Sequence, residues 1–155
     1  MGAMDIEATI RGYLPRVIHM SLATSRGNRP WVCEVHFVYD DDLNIYFRSL
    51  TTRRHSQEIT ENPHVAGNIV TQHHLNQKVR GVYFEGVARE MAGGIELEKA
   101  YPLFAKRLGM DKEIVEEAKR PDGHHFYQII VSDYYLFDSY NAPSGKHHLP
   151  WRSRQ

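Results

Sequence analysis

Leu43-Asn44-Ile45-Tyr46-Phe47-Arg48-Ser49-Leu50-Thr51-Thr52-Arg53-Arg54-His55-Ser56-Gln57-Glu58-Ile59 is the stretch on which the reading of this chain turns. Its first part is rich in β-branched and aromatic residues and predicts a strand. A hydroxyl-rich turn follows, and two adjacent arginines open a short helix over Arg53 to Glu61, which Asn62-Pro63 stops. A phosphate suits such a place. Hydroxyls and free backbone N–H groups donate hydrogen bonds, the helix dipole favours an anion, and guanidiniums neutralise it. The same residues also suit a plain strand-to-helix connection, with Thr52 as N-cap and both arginines solvated. Local sequence leaves the two readings open.

Outward from this stretch the chain alternates turns and β-type runs. Asp5 caps a predicted helix to Leu14, with Ile6, Ile10 and Leu14 at four-residue spacing. Strands are predicted over Val17 to Thr24, Trp31 to Tyr39, Leu43 to Ser49, His64 to Thr71, Lys78 to Glu90 and His125 to Tyr140. The second and third read as a hairpin across Asp40-Asp41-Asp42. Short helices are predicted over Ile95 to Leu108, with Pro102 as an awkward member, and over Asp111 to Lys119. The whole reads as one domain, with a helical insert at about 95–119 and a polar tail at about 141–155. Strands outnumber helices and the alternation of a parallel sheet is absent, so a mainly β fold, a small antiparallel barrel, is expected.

The 155 residues carry 19 basic and 19 acidic side chains, and this balance argues against a nucleic-acid-binding surface. An apolar fraction of 41% excludes disorder. No apolar run approaches the roughly 20 residues that span a bilayer. A single cysteine, Cys33, rules out an intramolecular disulfide framework and reads as a buried, inert thiol. With no signal-peptide core at the N-terminus, a cytoplasmic location is expected.

In order and spacing these segments resemble the pyridoxamine 5′-phosphate oxidase-like, FMN-binding split-barrel superfamily, in its small uncharacterised branch. The resemblance rests on Leu22-Ala23-Thr24, Pro30 before Glu34 to Tyr39, and Ile45-Tyr46-Phe47-Arg48-Ser49. It continues with Thr52-Arg53-Arg54, where the family commonly shows Ser-Arg-Lys, then Asn62-Pro63-His64-Val65-Ala66 and Arg80-Gly81-Val82-Tyr83-Phe84-Glu85-Gly86. It covers about residues 15 to 92, with a weaker match in Phe126 to Phe137. The resemblance implies a six-stranded antiparallel split β-barrel and a non-covalent FMN. Its phosphate would lie on Ser49, Thr52, Arg53 and Arg54, and its ring along Val35, His36 and Phe37.

The family's site lies across a homodimer interface, so Arg80, or the tail with Trp151, would complete the pocket from the partner chain. Trp151 would dock on a partner subunit or over the flavin. The implied activity is an oxidoreductase acting on a small organic molecule. A non-catalytic module binding a flavin, a deazaflavin or haem is the alternative. Activity on a B6 vitamer itself is not expected, because the C-terminal Arg-Leu and Arg-x-His elements of true pyridoxamine phosphate oxidases are not recognisable here.

Ten histidines include the pairs His73-His74, His124-His125 and His147-His148. Neighbours on a strand point to opposite faces, so such a pair rarely serves one metal ion, and no metal site is expected.

Overall fold

The computed structural model of the protein describes residues 3–141 and 143–152. The chain runs through α1 (Ile6–Tyr13), a 3-10 turn (Leu14–Arg16), β1 (His19–Arg26), β2 (Arg29–His36), β3 (Val38–Tyr39), β4 (Ile45–Leu50) and α2 (Arg54–Glu61). It continues through β5 (His64–Val70), β6 (Arg80–Glu90), α3 (Gly94–Leu108), α4 (Glu113–Glu117), β7 (His124–Asp138) and β8 (Gly145–Pro150). All pairings are antiparallel, in the order β2-β1-β5-β6-β7-β4-β3, with β8 also paired to β7. The expectation was a mainly β fold, a six-stranded antiparallel split barrel with short helical connections; the curled antiparallel sheet agrees with it, and among the described residues eight strands stand where six were read.

The two additional strands have separate causes. Trp31 to Tyr39 alternates without a break in sequence, yet the chain changes sheet edge at Phe37. There the Phe37 N–H donates to Ile18 O at 3.2 Å, while the next residue, Val38, pairs with Tyr46. The hairpin partner of β2 is therefore β1, and only Val38-Tyr39 pairs with β4. β8 lies in the segment read as a polar tail. Its pairing to β7, with Leu149 opposite Tyr134, folds that tail onto the sheet.

The curl has a local source. β6 shifts register at Glu85/Gly86, and a Cβ at Gly86 would come within 2.3 Å of Ile130 O. Only glycine allows that close approach, and such a bulge bends the strand. Inside the curl Phe47 and Tyr127 are buried and stacked, with ring centroids 5.0 Å apart. Burying such a side chain contributes about 1.5–3 kcal/mol.

α1 begins as read, with Asp5 Oδ1 accepting from the Ala8 N–H at 3.0 Å. α3 and α4 cover the face opposite that core, where Phe104 meets Phe126 at 4.8 Å. Pro102 lies inside α3 on its exposed side. Gly109 ends the helix in the left-handed region, φ 64°. No helix among the described residues is long and apolar enough to cross a membrane.

Candidate functional site

β2 and β4 run along the split in the barrel without hydrogen bonds between them. The space between them is a groove of two adjoining cavities, about 510 and 450 Å³, which share Glu34, Val35, Arg48 and His124 in their walls. The first opens on Trp31, Cys33, Ser49 and the start of α2. The second opens on His19, His36, Phe104, Leu108 and Met110. Each volume falls in the range that holds small ligands.

The start of α2 breaks the usual rules for a helix. Its N-cap is Arg53, which makes no side-chain capping bond, and its first turn holds no acidic residue. Two guanidiniums thus stand at the positive end of the helix dipole, an arrangement disfavoured by about 0.3–1 kcal/mol per charge. Arg53 has no ion pair among the described residues and faces the groove. Arg54 is held on one side: its Nε donates to Glu58 Oε2 at 2.8 Å, and its guanidinium lies 4.4 Å from the Trp31 ring centroid. Glu58 is buried, accepts also from Thr24 Oγ1 at 2.8 Å, and is held below the ordinary carboxylate range chiefly by the Arg54 hydrogen bond.

One imidazole organises the wall beneath. His55 Nε2 lies 2.7 Å from Ser49 Oγ, and its Nδ1 lies 3.3 Å from Cys33 Sγ. Burial, then the neighbouring Arg53 charge, lowers the His55 pKa, so the ring is neutral. Burial and Glu34 push the Cys33 thiol up to about 11.

Deeper along β4, Arg48 Nη2 donates to Glu117 Oε2 at 2.5 Å. Glu117 also accepts from the His124 N–H at 3.0 Å and from its Nδ1 at 2.7 Å. Burial would raise the Glu117 pKa, but the His124 bonds and the Arg48 charge outweigh it and leave it at about 2. Arg48 Nε is buried without an acceptor.

The structure brings together Val35, His36, Ser49, Arg53 and Arg54 of the expected residues. Thr52 is exposed in the turn and does not line the groove; the capping position belongs to Arg53. Phe37 is buried, with the Arg107 guanidinium 4.7 Å from its ring, so it supports the wall from behind. Arg80 lies in a different cavity, paired with Asp138. Trp151, read as a residue outside the monomer core, is in that core. Its indole N–H donates to Asp42 O at 2.7 Å and its ring meets Tyr134 edge-on at 6.3 Å.

Cys33, Arg48, His55 and Glu117 were not read as site residues. His55 alone carried a local signal, since it stands two residues beyond Arg53 on the face that turns toward Ser49. Among the described residues no group of three or more His, Cys, Asp or Glu side chains is placed to hold a metal ion.

Comparison with known proteins agrees with this architecture. A UPF0306 protein of Photorhabdus laumondii is 28% identical over 94 residues, 60% of this chain. The match spans 66% of that relative, just under two thirds of its length. A haem-binding protein of Mycobacterium smegmatis superposes with a TM-score of 0.75 at 15% identity, over 98% of this chain and 61% of that one. A haem storage protein of Vibrio cholerae superposes with a TM-score of 0.63 at 18% identity, over 81% and 89%. At such identities these two likenesses establish the fold alone. The family model described as pyridoxamine 5′-phosphate oxidase matches residues 6–138, and with the split barrel already in view the chain belongs to that family.

Proposed function

We propose that the groove binds FMN non-covalently and that the protein is an FMN-dependent oxidoreductase acting on a small organic molecule. The observation that carries this reading is the start of α2: two arginines, no acidic residue and no side-chain cap, all facing a ligand-sized groove. A phosphate there would supply the missing negative charge and accept from the uncapped N–H groups. Arg53 and the free Nη groups of Arg54 would bind it, with Ser49 held in place by His55. The flavin ring would lie along Val35 and His36, beside the unpaired edge of β2, whose backbone groups are open to its pyrimidine atoms.

When bound, FMN supplies the electron transfer, and the protein supplies binding and orientation. Phe104, Leu108 and Met110 would exclude water from the ring end, and the Arg48–Glu117–His124 chain fixes a positive group there. Ile18, just before β1, and Trp31 and Val32 on β2 are exposed apolar residues. A second copy of this chain would cover them and close the groove, as a homodimer.

A second reading, a haem-binding module, is favoured by His19, His36 and His124 around the same cavity and by the haem-binding relatives. An absorbance spectrum of the purified protein separates the two. Flavin bands, or their appearance with added FMN, support the first reading; a Soret band with haem and no FMN uptake supports the second.

A further inference from the structure

At the other end of the barrel Tyr13, Arg16, Thr71, His73, Arg80 and Tyr140 enclose a cavity of about 590 Å³ that shares no residue with the groove. Its frame is fixed by one hydroxyl. Tyr13 O–H donates to Arg80 O at 2.9 Å and accepts from the Thr71 N–H at 2.8 Å, so the end of α1 is tied to both β5 and β6.

The charges around it are unbalanced. Asp138 is fully buried and takes Arg80 Nη2 at 3.3 Å, the Tyr140 N–H at 2.8 Å and Asn141 Nδ2 at 2.7 Å. That carboxylate is committed, and it offsets only one of the cations. Arg16 has no ion pair among the described residues, and Lys78 lies against the Tyr140 ring at 5.9 Å. Two nitrogens in the walls, Arg80 Nε and His73 Nε2, are buried with no hydrogen-bond partner. Arg80 Nε is always a donor, and buried donors without acceptors are rare in folded proteins.

We propose that this cavity is a second ligand site, which takes a small organic anion through its carboxylate or phosphate group. An oxyanion entering between Arg16 and Arg80 meets guanidinium forks suited to planar or tetrahedral oxygens. It also brings the acceptor that Arg80 Nε lacks. The Tyr140 ring, half exposed and 5.1 Å from the Arg80 guanidinium, offers an apolar wall to the rest of the molecule. The volume fits a small molecule rather than a protein surface.

The test is a titration of the full chain, ¹⁵N-labelled, with inorganic phosphate and separately with acetate, following the Arg80 Nε–H and His73 imidazole signals. The signals should move saturably with at least one anion, and the stronger responder identifies the phosphate or carboxylate source. FMN in excess should leave that response in place. Arg16→Ala with His73→Gln keeps the Arg80–Asp138 pair, so the fold should survive, and anion affinity should fall about tenfold. Two results overturn the proposal. One is that neither anion moves the Arg80 Nε–H signal. The other is that FMN moves it and competes with phosphate, which would assign Arg80 to a flavin site.

Discussion

The His55 Nε2 atom lies 2.7 Å from Ser49 Oγ, and this contact joins the first turn of α2 to the last residues of β4. The opposite ring nitrogen meets Cys33 Sγ on β2, so one neutral imidazole links both banks of the groove. One hydrogen-bond direction satisfies the whole chain with the thiol protonated. Cys33 S–H donates to Nδ1, Nε2–H donates to Ser49 Oγ, and the Ser49 hydroxyl is left to donate to Leu50 O at 3.3 Å or to a ligand oxygen.

Cys33 should accordingly be a poor nucleophile. Its alkylation by iodoacetamide should stay slow through neutral pH and accelerate only toward pH of about 11, where the thiol ionises. An inflection at about 8.5, the value of a free cysteine, would contradict a thiol held protonated by burial and by the Glu34 charge.

Glu117 sets an acid limit. Its folded pKa of about 2 lies below the ordinary value of 4.5, so the carboxylate's contribution to stability is complete above pH 4.5. It is lost as the pH falls from there toward 2. Denaturant unfolding across that window should show a slope that Glu117→Gln reduces, leaving the share of other lowered carboxylates such as Glu58; an unchanged slope would mean that Arg48 and His124 do not stabilise the charge.

Trp151 offers a test of where the C-terminal segment belongs. Trp151→Ala should destabilise the chain by about 3–5 kcal/mol in urea unfolding, the loss expected for a buried aromatic. FMN affinity of the folded variant should match that of the parent. A stable variant with weakened flavin binding would instead place the indole at the cofactor.

Much of this arrangement is written locally. The strand, turn and helix of Leu43 to Ile59, the Asp5 cap and the turn at Asp40-Asp41-Asp42 depend on neighbouring residues, and those features stand in the structure close to where they were read. Other features depend on contacts across the chain. Nothing near Phe37 announces that the strand changes edges, since its alternation continues unbroken and the event is a bond to Ile18. The tail residues Lys146 and His148 are polar because β8 keeps one face in water, while Leu149 on its other face and Trp151 beyond it are buried. The Arg48–Glu117 pair spans 69 positions and the Cys33–His55 contact spans 22, distances over which spacing carries no signal. The two arginines at the start of the helix were visible in the sequence; that Glu58 and Trp31 hold only one of them was not.

That difference between the arginines makes the central claim measurable. Arg53 has no ion pair among the described residues, whereas Arg54 neutralises buried Glu58, so only Arg54→Ala should cost stability, about 1–2 kcal/mol. The decisive measurement is an FMN titration, followed by quenching of flavin fluorescence, on the parent chain and on Arg53→Ala. The parent should bind one FMN per chain, and Arg53→Ala should bind at least about tenfold more weakly at a melting temperature no lower than the parent's. Equal affinity in the two proteins, or no FMN binding by the parent, would contradict the assignment of the α2 N-terminus as the phosphate site.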